Sequence, residues 1–359
     1  MKLKKTHLPL PPLKLDHLYR LTDCTGIIQH SFYSLPDRSS GYTTDDNARA
    51  LIVALRLWCS TGEKGVLALA ERYLAFLSYV QEGDGKLHNF VDYSRRFVDL
   101  VGSEDAQGRA VWALGTAMAL LPASPIGRNA RRVFDRMLPW LGELEASRAI
   151  SYALLGLAQV AGVHPEKQRL GQLLHRLADV LVERYRATSS PGWYWFEDSL
   201  TYSNAVMPLA LLEVYRTTGN QRYRRIALES LRFLQEVVFP RGYLQVVGNE
   251  GWYRRGGRRA FFDEQPVDAG LMVLACLTAS ELGEREFLEP AFRAFAWFHG
   301  ENSLGAPLYD PDTGGCCDGL TPRGPNANQG AESLLAYLLA YTAMKEACAK
   351  TSTRISIEA

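Results

Sequence analysis

Acidic residues recur in adjacent pairs along this chain: Asp45–Asp46, Glu104–Asp105, Glu197–Asp198 and Asp263–Glu264. Each pair stands just ahead of, or at the start of, a long apolar run, where one Asp or Glu would cap free amides and complement a helix dipole. One side chain suffices for that, so capping leaves the second member of each doublet unexplained. Crowded carboxylates raise one another's pKa, which keeps one protonated as an acid while another stays ionised as a base. Cleaving a glycosidic bond needs such a pair. The catalytic candidates are therefore Asp45, Asp46, Glu197, Asp198, Asp263 and Glu264. Doublets on different elements, facing each other across a pyranose ring, imply a carboxylate separation of roughly 6.5–9.5 Å and hence inversion of the anomeric centre.

Other polar residues suit sugar hydroxyls. Arg49 and Arg109, each four residues after an Asp, are placed for i,i+4 pairs with Asp45 and Asp105. Tyr202, Asn204, Gln265, Asp268, Asn328, Gln329 and Glu332 add donors and acceptors, and Trp193, Trp195 and Trp252 offer flat apolar faces on which the C–H face of a sugar stacks. His30 and His88 are the candidate proton carriers. They would serve as the base of a sugar epimerase, the alternative to a hydrolase. A non-catalytic glycan-binding module is the third reading. There is no Gly-x-Ser-x-Gly elbow, Walker loop or His-Glu-x-x-His. Asp310-Pro311-Asp312-Thr313-Gly314-Gly315 with Asp318 reads as a Gly/Asp turn rather than a calcium loop, so neither metal nor cofactor is expected.

The elements that must position these residues repeat. A polar residue followed by a small one opens an apolar helix six times: at Asp45–Leu51, Asp105–Ala110, Ser147–Ile150, Thr201–Ala205, Gln265–Gly270 and Asn328–Ser333. A more amphipathic helix follows five of them, over 66–81, 126–140, 166–186, 221–238 and 284–298, and residues 13–23 supply the sixth by closing the N-terminus against the last inner helix. Turns from inner to outer helix are short, as at Gly62, Ser124–Pro125, Gly162–Pro165, Gly219 and Gly283. Returns over 83–103, 188–199, 240–262 and 300–327 are long, and only the entry near Gly142 is tight. Long loops in a compact domain are usually functional, so the pocket belongs over the inner-helix N-termini. Alternation in Gly242–Val247 and Asn249–Tyr253 predicts short β-hairpins there. The roughly 60-residue period exceeds that of TPR, HEAT or armadillo arrays, and a closed ring needs no capping repeat.

With 47% hydrophobic residues and a net charge of +1, the chain of 359 residues reads as one all-α domain over 1–359, with no field to attract nucleic acid or an anionic membrane. The run Arg254, Arg255, Arg258, Arg259 reads as a solvated loop. Six cysteines lack metal or redox spacing, the N-terminus lacks a signal-peptide core, and no apolar stretch reaches membrane-spanning length, which together imply a reduced cytoplasmic protein.

In these openers the sequence resembles the six-hairpin glycosidase-like superfamily of (α/α)6 toroids, which includes glycoside hydrolases, unsaturated glucuronyl hydrolases and N-acylglucosamine 2-epimerases. Thr44–Leu51, Phe196-Glu197-Asp198 with Leu200–Ala205, and Asn328–Ser333 are similar to a bacterial toroid module associated with glycosyltransferases. The resemblance implies the (α/α)6 fold, an oligosaccharide or glycan ligand and a glycosyltransferase as a partner. It assigns no residue roles.

Overall fold

The structure, a computed structural model, describes residues 10–163 and 168–358. The chain opens with α1 (Asp16–Leu21), then β1 (Ile28–Phe32) and β2 (Leu35–Thr43), and enters the first long hairpin as α2 (Thr44–Thr61) and α3 (Lys64–Tyr79). After β3 (Phe90–Val91) come α4 (Glu104–Leu120) with α5 (Pro125–Met137), then α6 (Ser147–Val163) with α7 (Gln168–Thr188). Next are β4 (Ser199–Leu200), α8 (Val206–Thr218), α9 (Gln221–Val238), β5 (Tyr253–Arg254), α10 (Pro266–Glu281) and α11 (Leu288–Ala296). Four two-residue strands, β6 (Tyr309–Asp310), β7 (Gly315–Cys316), β8 (Leu320–Thr321) and β9 (Gly324–Pro325), lead into α12 (Ala331–Glu358).

The even-numbered helices form an inner ring. Each packs on the next, and α12 packs back on α2. These helices are apolar on all sides, so they are buried by neighbours on both flanks and by the outer helices behind. The ends are set locally. Thr43 and Ser103 accept from the amides of Asp46 and Ala106, while Gly62 and Gly219 close α2 and α8 in the left-handed conformation (φ 70° in both). At the N-terminus, α1 packs on α12, and Pro11 O accepts from the Tyr341 hydroxyl at 2.9 Å.

The seam between α4 and α6 is the tightest. A Cβ on Gly156 would stand 2.2 Å from Val111 O, and one on Gly115 would stand 2.5 Å from Gly156 O, so the backbones touch directly. Gly156→Ala should therefore wedge the ring apart and cost about 1–3 kcal/mol of stability. Chemical denaturation measures this. An unchanged midpoint would mean that the two helices separate freely.

Two local readings need correcting. Residues 242–252 contain no strand; Leu244, Val246 and Val247 are all buried, and β5 pairs with β4 of another loop. Apolar alternation shows a half-buried strand but names no partner, and here the chain lies on the core instead. The β1–β2 hairpin was not anticipated, although it supplies part of the mouth and pairs through Tyr42 and Thr43 with β3. His164, Pro165 and Glu166, read as a turn and a helix start, lie outside the described residues, as do residues 1–9.

Candidate active site

The start of α2 carries the most concentrated chemistry. Thr43 donates its hydroxyl to Asp46 Oδ2 at 2.7 Å, and Arg49 donates to Asp46 Oδ1 at 3.1 Å and to Glu332 Oε2 on α12 at 2.5 Å. Burial pushes the Asp46 carboxyl up to about 6, with Arg49 opposing and Glu332 and Asp45 adding to the rise. Burial also acts to raise Asp45, but the guanidiniums of Arg109 and Arg49 outweigh it and hold this carboxyl below its ordinary value. Adjacent carboxyls thus have opposite proton affinities.

The ion pairs differ from the expected i,i+4 links. Arg49 takes Asp46 rather than Asp45. Arg109 reaches across to Asp45 on the neighbouring helix at 2.7 Å, while Asp105, its own i,i+4 partner, is at 3.7 Å. Behind Arg109 lies the Tyr152 ring, 4.4 Å from the guanidinium carbon, and the Tyr202 hydroxyl donates to Asp105 at 2.9 Å. Arg148 extends this belt to the third inner helix. It donates to both oxygens of Glu197 (3.2 and 3.0 Å), to Thr201 Oγ1 and to Tyr202 O, and it covers the Tyr202 ring. Sequence reasoning missed Arg148 as a site residue, although it lies in a repeat opener as Arg49 and Arg109 do. On α10, Asp268 Oδ1 accepts from the Asn204 amide at 3.1 Å.

A cavity of about 240 Å³ opens at this end of the ring. Asp45, Asp46, Arg49, Gln265 and Glu332 line it, together with His30 from β1 and with Gln29, Asn89, Phe90 and Asp318. Asp318 accepts from Gly330 N and Ser333 Oγ at the start of α12. A larger groove, of about 760 Å³, lies on the outer wall of α9 among Arg222, Arg224, Arg225 and Arg232, away from the inner-helix N-termini. Three of those arginines are engaged by Asp179, Glu284 or Glu286. Among the described residues, no group of three or more His, Cys, Asp or Glu is arranged to hold a metal ion.

Several candidates stand elsewhere. Successive side chains on a helix or strand diverge, so three of the four doublets split. Glu104 turns away to accept from Glu145 N and Ala146 N at the start of α6, and Asp198 is 84% exposed in its side chain and faces Arg255. Asp263 lies against Gly319, and burial pushes it up to about 6. Glu264 is fully buried and accepts from Trp297 Nε1 (2.9 Å), Ser303 Oγ (2.8 Å) and Val246 N (3.3 Å), which makes it a tie between loops rather than a group facing substrate. Trp193 and Trp195 pack on Phe233 inside the wall and present no face for stacking, whereas Trp252 stays half-buried beside Tyr202. His88 is buried under Phe97 between Glu82 and Asp99. Asn328 holds Tyr33 N of the hairpin tip, and Gln329 is tied to Asp310 and Thr313. The basic loop is not simply solvated: Arg255 and Arg259 donate to Thr188 O and Gln245 Oε1, stapling loops together.

Glu264 has a measurable consequence. Burial pushes its carboxyl up from 4.5 to about 7, so the folded state binds more protons than the unfolded chain between those values. Stability should fall by up to about 3 kcal/mol as pH rises through that window and stay lower above it. Glu264→Gln cannot ionise and should flatten this slope. Denaturant midpoints at pH 5 and pH 8 test it, and identical slopes in variant and wild type would count against the assignment.

No family model matches the chain, and no curated protein matches it in sequence. Solved structures do match. Cellobiose 2-epimerase from Bacillus thermoamylovorans B4167 superposes with a TM-score of 0.72 at 14% identity, covering 93% of this chain and 96% of that one. The fold is the six-hairpin (α/α)6 toroid. A D-mannose isomerase shares this toroid with a TM-score of 0.69 at 11% identity, covering 92% and 94% of the two chains. So does an α-1,6-mannanase from Salegentibacter sp. HEL1_6, with a TM-score of 0.64 at 14% identity and 92% and 96% coverage. That mannanase was solved as an inactive variant, with two consecutive aspartates replaced by alanine, in complex with α-1,6-mannotetrose. The toroid therefore houses both hydrolases and epimerases or isomerases among its solved members.

Proposed function

We propose that this toroid is a glycoside hydrolase acting on an oligosaccharide, with Asp46 as the general acid and Asp45 as the base that orients water. The observation that carries this reading is the opposite proton affinity of two adjacent carboxyls lining one cavity at the convergence of the inner helices. A mannanase of the same fold that is inactive without two consecutive aspartates supports the use of such a doublet. Protonated Asp46 gives its proton to the glycosidic oxygen as the bond to the anomeric carbon breaks. Asp45, held ionised by Arg109, accepts a proton from the attacking water, so no glycosyl-enzyme forms; inversion then requires these two neighbouring carboxyls, in place of doublets on different elements, to act on opposite faces of the ring. Arg49, Glu332, Gln265 and Asn89 are placed for hydroxyls and Phe90 for the apolar face of the sugar.

A second reading, an epimerase, has one specific support: His30 lines the same cavity. His88, tied down between two carboxylates, does not share it. The test is incubation with a panel of neutral oligosaccharides, reading reducing ends and product anomers by NMR. Release of reducing ends with inversion supports the hydrolase. C2 epimers or aldose–ketose isomers without cleavage replace it with the epimerase. Binding without turnover points to a glycan-binding module serving a glycosyltransferase. Among the described residues no helix is long and apolar enough to cross a membrane, which is compatible with the cytoplasmic site of action we propose.

A further inference from the structure

The five most exposed large apolar side chains among the described residues are Phe32 (64%), Tyr33 (70%), Leu35 (68%), Val98 (68%) and Leu100 (92%). Apolar side chains exposed singly are ordinary, but these stand on two loops that border one cavity. The first lip is the β1–β2 hairpin, whose Gln29 and His30 line the cavity. Phe32 and Leu35 are paired across the hairpin tip, and strand alternation puts them on the face that carries His30. The tip is held in place: Tyr33 N donates to Asn328 Oδ1 and Tyr33 O accepts from Gln329 N, both at 2.9 Å. The second lip backs on Asn89 and Phe90, which also line the cavity. Val98 N donates to Phe90 O at 3.0 Å, and Asp99 accepts from the amides of Asn89 and Phe90 at 2.7 and 3.1 Å, while Val98 and Leu100 stay in solvent. Phe90 joins the two environments, since it lines the cavity and is itself 44% exposed.

The wall of the cavity is polar and its lips are hydrocarbon. At about 240 Å³ the cavity is smaller than the roughly 300–1,000 Å³ of sites that bury a drug-sized ligand, so a long ligand must extend over the lips. A further run of sugars would bring hydroxyls to Leu35, Val98 and Leu100, whose side chains offer them no hydrogen bond. A protein laid across both lips would cap the mouth. We propose that the cavity takes the sugar of an alkyl glycoside or glycolipid, whose apolar aglycone lies across Phe32, Leu35, Val98 and Leu100. This rests on the reading of the cavity as a glycan site and names its substrate class. The aglycone covers the lips while the sugar keeps its polar partners inside.

Ligand-observed NMR titrations test this with methyl and hexyl glycosides of glucose, mannose and galactose in both anomers, and with 1-hexanol alone. Each buried methylene is worth about fourfold in affinity, so at least one hexyl glycoside should bind about tenfold or more tightly than its methyl form and than 1-hexanol. Two double variants, Phe32→Ser with Leu35→Ser and Val98→Ser with Leu100→Ser, should each cut that gain at least threefold and leave methyl glycoside binding unchanged, with thermal unfolding confirming that both fold. Equal binding of methyl and hexyl forms, no binding of any probe, 1-hexanol binding as tightly as the glycosides, or a gain unchanged in both variants would overturn the proposal. So would a concentration-dependent dimer, or binding to phosphatidylcholine vesicles, that both double variants abolish while no hexyl gain is seen; these outcomes assign the lips to a second copy or to a lipid surface. Cleavage of neutral oligosaccharides without a hexyl gain removes this inference alone. A hexyl gain without release of hexanol or cleavage of any oligosaccharide keeps it and removes the hydrolase reading.

Discussion

Asp46→Asn should lower kcat by about 10² or more on a cleaved oligosaccharide while leaving KM close to its original value, because the amide preserves shape and most hydrogen bonds but cannot deliver a proton. The accompanying pH profile is specific. The acid must be protonated and the base ionised, so kcat/KM should rise with pH through the depressed titration of Asp45 and fall as pH passes about 6, where Asp46 loses its proton. The optimum is therefore acidic. Glu197→Gln should behave differently: both Glu197 oxygens accept from one nitrogen of Arg148, so its replacement disturbs the belt without removing the transferred proton. An Asp46→Asn enzyme that hydrolyses as fast as wild type would reduce this residue to a partner of its own N-cap, Thr43.

Arg109→Gln should be the most damaging single change to stability. Its guanidinium is buried against Tyr152 and compensates Asp45 and, more distantly, Asp105. Breaking a buried pair by removing one partner costs roughly 3–5 kcal/mol, and the partial exposure of Asp45 favours the lower end. Asp45 should then titrate at higher pH, moving the acidic limb of the activity profile upward. A double-mutant cycle with Asp45→Asn isolates the contact. If Asp45→Asn restores none of the stability lost in Arg109→Gln, the two residues are not coupled and the belt is only a set of independent contacts.

The repeat of inner and outer helices was legible because it depends on short-range physics. Apolar residues recurring at helical spacing, with Gly62 and Gly219 in the short turns that end inner helices, act within a few residues of their own position. Six such units with short turns on one side and long returns on the other constrain where the mouth lies. The acidic doublets were visible too, as residues placed near that mouth.

Which doublet member faces the cavity was not visible, because that depends on how each helix is rotated against its neighbours. Asp105 and Glu197 turn to the belt, while Glu104 and Asp198 turn away. Glu264 was placed among the catalytic residues on spacing alone, and only the packing of Trp297, Ser303 and Val246 around it reveals a buried tie. Trp193 and Trp195 looked like stacking platforms because aromatic content does not say which side of a loop is covered. Sequence alone determined the helical repeat, the end of the ring that holds the mouth and the acidic character of its rim. Tertiary structure alone decided that Arg109 pairs with Asp45 across 64 positions, that Arg148 joins the belt, and that Asp45 and Asp46 differ in proton affinity. Those outcomes depend on burial and on charges brought in from other helices, which ring closure sets and local sequence does not encode.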